Sequence, residues 1–215
     1  MSLHADKKTM RDNTGTVYLF CVKDFTQNRY TVPVLLVLIM GLAACGEPAK
    51  PPLPVVGQAP KFTFLDQDAR EFGSAQLENK VWIVDFVYTM CAGPCPVMSR
   101  NMASLHRSYA LDDRVRFVTV TVDPEFDSPR VLKEYAEKQD AKTKQWVFLT
   151  SDSASIHNLA YEGFKIGSKD DPIFHSTRFA LVDGKSRVRG YYEGTDDEEV
   201  ARLFSEIARL LEEPS

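Results

Sequence analysis

Residues 81–109, VWIVDFVYTMCAGPCPVMSRNMASLHRSY, contain the pattern that decides the fold. Residues 81–88 are an almost continuous run of β-branched and aromatic side chains, which is typical of a buried central strand. From Pro96 onward, apolar side chains recur every three or four residues, as on one stripe of a helix: Met98, Met102, Leu105 and Tyr109. The stretch therefore predicts a strand that leads into a helix, with Cys91 and Cys95 at the junction.

The remaining patterns predict an α/β domain. An Asp183-Gly184 turn joins the last two strands as a hairpin, Thr195 opens a capping box for the last helix, and Phe204 belongs to that helix's apolar face. The predicted elements are a small hairpin that opens at residues 61–65, strands at 81–88, 115–122, 146–149, 176–182 and 187–192, and helices that begin near residues 96, 129, 153 and 195. This order predicts a mixed sheet with helices on both faces, an antiparallel pair at its end and an N-terminal hairpin extension.

The first 44 residues are interpreted as a targeting segment. Residues 32–44 form an uncharged run of 13, which is shorter than the roughly 20 residues of a membrane-spanning helix and typical of a signal-peptide core. The run ends in Leu42-Ala43-Ala44-Cys45, which resembles a bacterial lipobox, where the cysteine is lipidated after cleavage. An uncleaved N-terminal anchor is the alternative. Both interpretations place the domain in the cell envelope, tied to a membrane and facing the periplasm or the extracytoplasmic side.

Three segments are predicted: a signal or targeting segment at 1–44, a proline-rich tether at 45–60 and a globular domain at 61–215. As polyproline II, the fifteen residues after Cys45 would hold the domain about 45 Å from the bilayer. The chain carries 26 Lys and Arg against 30 Asp and Glu, a net charge of −4. This balance argues against nucleic acid as a partner, because such binding is dominated by contacts to phosphate.

Cys91 and Cys95 form a C-x-x-x-C pair at a strand-to-helix junction, which is a functional position in open α/β sheets. Unpaired amides and the dipole at the helix N-terminus favour the thiolate form of both residues. The pair therefore predicts either a reversible disulfide or a clasp for a soft metal ion such as Cu(I) or Zn(II). An inert structural disulfide is disfavoured, because closing so small a loop gains little entropy.

A third metal ligand would be a histidine. His106 lies eleven residues beyond Cys95 on the same predicted helix, about 16 Å along its axis and out of reach, and His157 is interpreted as a surface or edge residue. His175 enters a strand at a sheet edge where loops gather, and there a ligand and a structural histidine are equally expected. Asp123 closes the second central strand and would face the same edge, although Asp before Pro is usually a turn.

At these residues the sequence resembles the Sco/SenC/PrrC family, thioredoxin-fold copper proteins tethered in the bacterial envelope or the mitochondrial inner membrane. The similarity runs from about residue 55 to residue 212. It rests on three signatures that agree in order: VDFVYTMCAGPCP at 84–96, VTVTVDPE at 118–125, and His175-Ser176 followed by Asp183-Gly184.

The resemblance implies a role for each site residue. Cys91, Cys95 and His175 correspond to the family's copper ligands, which would hold one ion as Cu(I) or Cu(II). Asp123 corresponds to the family's acidic residue near the site. Ala92 is a departure, since many members have proline directly after the first cysteine.

The implied function is delivery of copper to the binuclear copper centre of cytochrome c oxidase. The partners would be the oxidase subunit that carries this centre, other copper carriers or thiol reductants, and the membrane through the lipid anchor. Such a metallochaperone is not an enzyme, although thiol-disulfide redox activity is compatible with it.

Other functions use the same cysteines. A thiol:disulfide oxidoreductase would need only Cys91 and Cys95, as a redox pair that reduces the cysteines of that copper site or of another envelope protein. A sensor of copper or redox state would use the same ligands as a chaperone, and the sequence does not separate the two. A peroxiredoxin is disfavoured, because its pattern requires proline and threonine where Val84 and Tyr88 stand.

Overall fold

The computed structural model describes residues 10–11, 17–18, 51–141, 144–167 and 176–213. The chain divides into two compact units, residues 1–50 and 51–215. The predicted signal-peptide core, Cys45 and His175 lie outside the described residues. Within the ranges given above, no helix is both long and apolar enough to cross a membrane.

The first unit contributes one strand pair and the second an eight-stranded sheet. The antiparallel pair of the first unit is β1 (Met10–Arg11) and β2 (Val17–Tyr18). The strands of the second unit are β3 (Gly57–Gln58), β4 (Thr63–Asp66), β5 (Glu71–Gly73), β6 (Val81–Val87), β7 (Val115–Thr121), β8 (Trp146–Thr150), β9 (Arg178–Val182) and β10 (Arg187–Glu193). Its helices are α1 (Cys95–Ser108), α2 (Pro129–Lys138), α3 (Ser153–His157) and α4 (Asp197–Glu212). A 3₁₀ turn spans Ser74–Leu77, and a π-helical segment continues α3 over Asn158–Gly163.

The sheet confirms the predicted mixed topology. Its strand order is β3-β10-β9-β6-β7-β8-β4-β5. β6, β7 and β8 run parallel, whereas β9 pairs antiparallel with β6 and β10 antiparallel with β9. The β4–β5 hairpin joins the far edge through β8. All seven residues of β6 are buried, as the almost continuous apolar run predicts for a central strand.

Helices cover both faces of the sheet, as predicted. One core lies between the sheet and the side chains of α1, α2 and α4, among them Met98, Met102, Leu132, Leu203 and Ile207. The other core lies under α3 and its π-helical continuation, together with the hairpin and the 3₁₀ turn, and includes Ile156, Leu159, Phe164, Phe64 and Leu77. This two-faced packing fixes β6 between its neighbours and holds its carboxyl end in one place.

The start of α4 and the burial of one of its side chains differ from the prediction. Asp196, and not Thr195, is the N-cap, and its carboxylate accepts hydrogen bonds from the amides of Glu198 and Glu199. Phe204 was predicted in the core but is exposed, because it lies at the rim of the helix with its ring 5.3 Å from that of Tyr109.

Part of the predicted tether at 45–60 is packed on the domain. Leu53 is buried, and Gly57–Gln58 pairs with β10 as an edge strand. Buried Arg189 donates hydrogen bonds to the carbonyls of Leu53 and Pro54, at 2.6 and 3.1 Å. The described part of the predicted tether is therefore not free, and the reach of about 45 Å does not apply, because it assumed fifteen unpacked residues.

Candidate functional site

Both cysteines lie at the junction between β6 and α1. β6 ends at Val87, and α1 begins at Cys95 with Pro94 as its N-cap. The amide of Cys91 donates to the carbonyl of Tyr88 at 3.3 Å, which closes a turn in the connecting loop. Both cysteines are free thiols, and their exposed fractions are only 7% for Cys91 and 1% for Cys95.

The two thiols lie close enough to affect each other's ionisation, and their pKa values shift in opposite directions. Burial opposes ionisation of Cys91, but hydrogen bonds from the Cys95 thiol, from the amides of Cys95 and Gly93 and from Tyr88 outweigh it and lower the Cys91 pKa. Burial, and then the hydrogen bond to Cys91, raise the pKa of Cys95 to about 12. Cys91 is therefore the nucleophilic sulfur of the pair, and Cys95 holds the proton that stabilises it.

Tyr88 connects the cysteines with the end of β7. Its pKa is raised, first by the hydrogen bond with Cys91 and to a smaller extent by the charges of Cys95 and Asp123. Asp123 is half-buried, and its amide donates to the hydroxyl of Thr121 at 3.0 Å. The structure thus places Asp123 at the sheet edge where the cysteines lie, as expected for the carboxyl ends of neighbouring parallel strands.

Asp127, which no local sequence pattern identifies, fixes the cysteine loop. This buried carboxylate accepts hydrogen bonds from the amide of Thr89 at 3.0 Å, from the Thr89 hydroxyl, and from the Thr121 hydroxyl at 2.6 Å. Its own amide donates to the carbonyl of Asp123 at 2.9 Å. One side chain therefore ties the loop that precedes Cys91 to the loop that follows β7.

A second missed carboxyl lies beneath the pair. Asp85 is fully buried in β6, in register with Thr119 of β7, and neither carboxylate oxygen has a donor in good hydrogen-bonding geometry. Burial raises its pKa to about 7, and the neighbouring Thr119 hydroxyl offsets only part of that shift. The charge of Asp85 is also one of the smaller contributions that raise the Cys95 pKa. A buried carboxyl with a raised pKa close to two thiols is a candidate functional group.

The two described histidines lie away from the cysteines, and His175 is outside the described residues. His106 is buried, with its ring 5.5 Å from those of Phe117 and Trp146. His157 is half-buried and stacks on Tyr161 at 5.7 Å. Within the described part of the chain, no group of three or more His, Cys, Asp or Glu side chains could hold a metal ion. The predicted third ligand, His175, stays a prediction.

The loop with two free thiols at the carboxyl end of a central strand is accompanied by a match to a known family. The SCO1/SenC family profile matches residues 55–212. The chain belongs to the SCO1/SenC family. A SCO1 protein homolog of Bacillus subtilis is 31% identical over 177 residues, which cover 79% of this chain and 91% of the homolog. The resemblance stated from the three sequence signatures is thereby confirmed.

Solved Sco structures confirm the thioredoxin-like fold. A SCO1/SenC family lipoprotein from Bacillus anthracis is 29% identical with a TM-score of 0.68, covering 75% of this chain and 99% of that one. BsSco, described as a Sco family cytochrome c oxidase assembly protein with a disulfide switch, is also 29% identical, with a TM-score of 0.64 and coverages of 76% and 98%. Bradyrhizobium japonicum ScoI with copper bound is 22% identical, with a TM-score of 0.58 and coverages of 72% and 99%, and this likeness concerns the fold alone.

In this Sco chain, the sequence carries a signal for Asp85 and a weaker one for Asp127. Asp85 is the one charged residue in the apolar run 81–88, and a charge in a central strand is rarely buried without a purpose. Asp127 follows Asp123 by four residues, just ahead of the Ser128-Pro129 helix start. Its partner Thr89 lies 38 residues away, however, so this contact depends on strand pairing that no local pattern shows.

Proposed function

We propose that this chain is a membrane-tethered extracytoplasmic copper-binding protein that delivers copper to the binuclear copper centre during assembly of cytochrome c oxidase. The observation that carries the proposal is the pair of buried free thiols, Cys91 and Cys95, at the β6–α1 junction. Membership of a family that includes an oxidase assembly protein and a solved copper-bound protein supports it.

The donor chemistry of the site suits copper. Cys91 and Cys95 offer two adjacent sulfurs, and paired thiolates prefer Cu(I) over hard cations. An anchored loop and a helix N-terminus hold the two residues, so binding requires little rearrangement of the backbone. The pair would hold one ion, as Cu(I) or Cu(II), and the charge of Asp123 at the same edge would act on it without being a ligand.

His175 is the proposed third ligand. β9 pairs antiparallel with β6 so that Ala180 lies opposite Val84. The amino end of β9 is therefore directed toward the carboxyl end of β6, from which Cys91 follows. The carbonyl of Thr177 accepts a hydrogen bond from the amide of Gly194 at 2.6 Å, which fixes the chain two residues beyond His175. This connectivity supports an imidazole at the edge where the thiols lie.

Copper is the cargo of the proposed reaction and leaves by ligand exchange. Cys91 and Cys95 bind as thiolates and His175 as neutral imidazole, so loading releases the thiol protons. A thiolate of the acceptor then replaces one ligand at a time, and no free ion is formed. Because Cys91 is the more exposed sulfur of the two, it is the ligand that an incoming thiolate meets first.

A thiol:disulfide oxidoreductase is the second candidate, and the opposed pKa shifts of the two thiols favour it. The Cys91 thiolate would attack a partner disulfide and release one partner thiolate. Cys95 would then lose its proton and attack the Cys91 sulfur, which releases the second partner thiol and leaves a Cys91–Cys95 disulfide. Two electrons pass to the partner, and a thiol reductant must restore the pair.

A competitive Cu(I) titration of the reduced full chain separates these two functions. The wild type is expected to bind one Cu(I) tightly, and His175→Ala to lose at least about tenfold in affinity, because imidazole is one of three ligands. His157→Ala is the matched control and should bind like the wild type. Weak binding, or binding indifferent to His175, would refute the three-ligand site and leave the cysteines as a redox pair.

We also propose lipidation of Cys45 and a location in the bacterial cell envelope. The lipobox-like sequence supports this, and so does the similarity to a SCO1/SenC family lipoprotein from Bacillus anthracis. In bacterial cells, Cys45→Ser should move the protein from the membrane to the soluble fraction and abolish incorporation of labelled fatty acid. Cys21→Ser is the matched control and should change neither. An acylated or membrane-bound Cys45→Ser protein would exclude this attachment site.

A further inference from the structure

The described domain contains three methionines, and one of them differs from the others. Met98 and Met102 lie on the inner face of α1 and are 0% exposed, whereas Met90 is 66% exposed. Isolated exposed apolar side chains are ordinary on protein surfaces, so exposure alone assigns nothing to Met90. The position of Met90 is what points to a role, because Met90 directly precedes Cys91 in the site loop.

The backbone on both sides of Met90 is fixed while its side chain stays free. Asp127 holds the amide and hydroxyl of Thr89, and the amide of Cys91 is bonded to the carbonyl of Tyr88. The Cα atoms of Met90 and Cys91 are therefore held at the usual separation of about 3.8 Å. The methionine side chain is unbranched and has three rotatable bonds, so its sulfur can move over the space next to the Cys91 sulfur.

The cysteine sulfurs are poorly placed for first contact with an incoming ion. Cys95 is almost completely buried, and Cys91 is nearly so. The Cys91 sulfur faces the exposed Gly93, where an added Cβ would lie 3.9 Å from it. Cu(I) arrives with ligands of its own, so a donor on the outer side of this loop has to displace one of them before the ion can enter.

We propose that the Met90 thioether is an outer, transient Cu(I) ligand, which receives the ion from solvent or from a donor protein and passes it to Cys91. This inference rests on the proposed copper-binding function and adds an entry site to it. A thioether is a neutral soft ligand that suits Cu(I). It binds without losing a proton, and neither partner is oxidised or reduced. Met90 therefore governs the rate of loading and not the final affinity.

The test follows Cu(I) loading of the reduced full chain by stopped flow, with the Cu(I)-acetonitrile complex as the probe. Met90→Leu keeps the apolar bulk but removes the sulfur, and it is expected to slow loading about tenfold while the equilibrium affinity changes less than about threefold. Met98→Leu, which removes a buried sulfur one turn into α1, is the matched control and should load like the wild type. Thermal unfolding confirms that both variants are folded.

A spectroscopic measurement then identifies the ligand without reference to rate. In selenomethionine-labelled chain trapped during loading, copper-edge X-ray absorption should show a selenium neighbour that is absent in labelled Met90→Leu and retained in labelled Met98→Leu. Loading of Met90→Leu at the wild-type rate, or absence of the selenium neighbour in the wild type, overturns the inference. Slow loading of Met90→Gln together with normal loading of Met90→Leu also overturns it, since an apolar contact would then suffice. A wild type that holds no Cu(I) at equilibrium refutes the proposed function itself.

Discussion

The buried polar groups at the two ends of β6 differ in how completely they are hydrogen-bonded. At the amino end, the guanidinium of Arg189 donates hydrogen bonds to the carboxylates of Asp183 and Glu213, at 2.8 and 3.0 Å, as well as to two backbone carbonyls. At the carboxyl end, Cys91 and Cys95 are free thiols above a carboxyl, Asp85, that lacks a hydrogen-bonding partner.

This difference distinguishes residues that stabilise the fold from residues that can react. The hydrogen bonds of Arg189 join the start of the domain, the β9–β10 hairpin and the end of α4, and Arg189 contributes no reactive group. At the cysteine end, the loop is held by Asp127 from outside the pair, so the sulfurs keep their capacity for a ligand or for each other. Groups left without strong partners at one end are thus compensated by dense bonding elsewhere.

The largest effect is expected from breaking the network at the amino end. Arg189→Leu removes the guanidinium that bonds Asp183, Glu213 and two backbone carbonyls, and it should lower the free energy of unfolding by about 3 to 5 kcal/mol. Chemical denaturation measures this loss, and alkylation of Cys91 in the folded protein should keep its wild-type rate. Arg114→Leu, which removes an exposed arginine bonded to Asp112 at the same end, should lower the stability far less, because water screens an exposed ion pair. Equal losses in the two variants would remove the contrast between the ends.

The second prediction concerns the unpartnered carboxyl. Because burial raises the Asp85 pKa to about 7 from an ordinary value of 3.8, the folded state retains a proton that the unfolded state has lost between these pH values. The stabilisation is complete below pH 3.8 and is lost as the pH rises, at about 1.4 kcal/mol per pH unit. Asp85→Asn should remove this slope and be more stable than the wild type above pH 7. Unfolding curves from pH 4 to pH 8 measure it, and parallel curves for the two proteins would contradict it.

A third prediction tests whether the loop anchor is distinct from the reactive groups. Asp127→Asn replaces one accepting oxygen by an amide donor that faces the donors of Thr89 and Thr121, and it should cost about 1 to 3 kcal/mol. The Cys91 alkylation rate should also fall, since the loop that positions its sulfur is released. Unfolding and alkylation are measured on the same preparation. A loss of stability with unchanged alkylation would show that Asp127 supports only the fold.

The smallest effect is expected from Tyr88→Phe. It removes one hydrogen bond to Cys91, so the Cys91 pKa should rise and alkylation at pH 7 should slow by about threefold, with little change in stability. The pH dependence of alkylation gives the Cys91 pKa directly. A pKa equal to that of the wild type would mean that Cys95 and the loop amides alone stabilise the thiolate.

Elements with a strong period could be predicted from sequence, and so could the position of the cysteines. The apolar run 81–88 and the stripe beginning at Met98 specify a central strand and a helix without knowledge of their neighbours. The carboxyl ends of parallel strands share an edge, which is why Asp123 could be placed near the pair. Features that depend on distant partners could not be predicted.

Two of these failures have identifiable physical causes. The burial of Leu53 depends on Arg189, which lies 136 residues further along the chain, so a proline-rich composition alone wrongly predicted free tether. Thr195 and Asp196 are adjacent candidates for the same cap, and only the backbone direction at the start of α4 decides between them. Local patterns identify residues that can cap or pack, whereas the tertiary contacts decide which of them do.

The hydrogen bonds from Arg189 to the carbonyls of Leu53 and Pro54 fix where the chain enters the domain relative to the thiols. The described chain enters the domain beside the amino end of β6, where Arg189 holds these two carbonyls. The thiols follow the opposite end of β6, whose seven residues span about 23 Å. The folded domain thus acts as a rigid spacer of about this length between the point where the described chain enters it and the thiols.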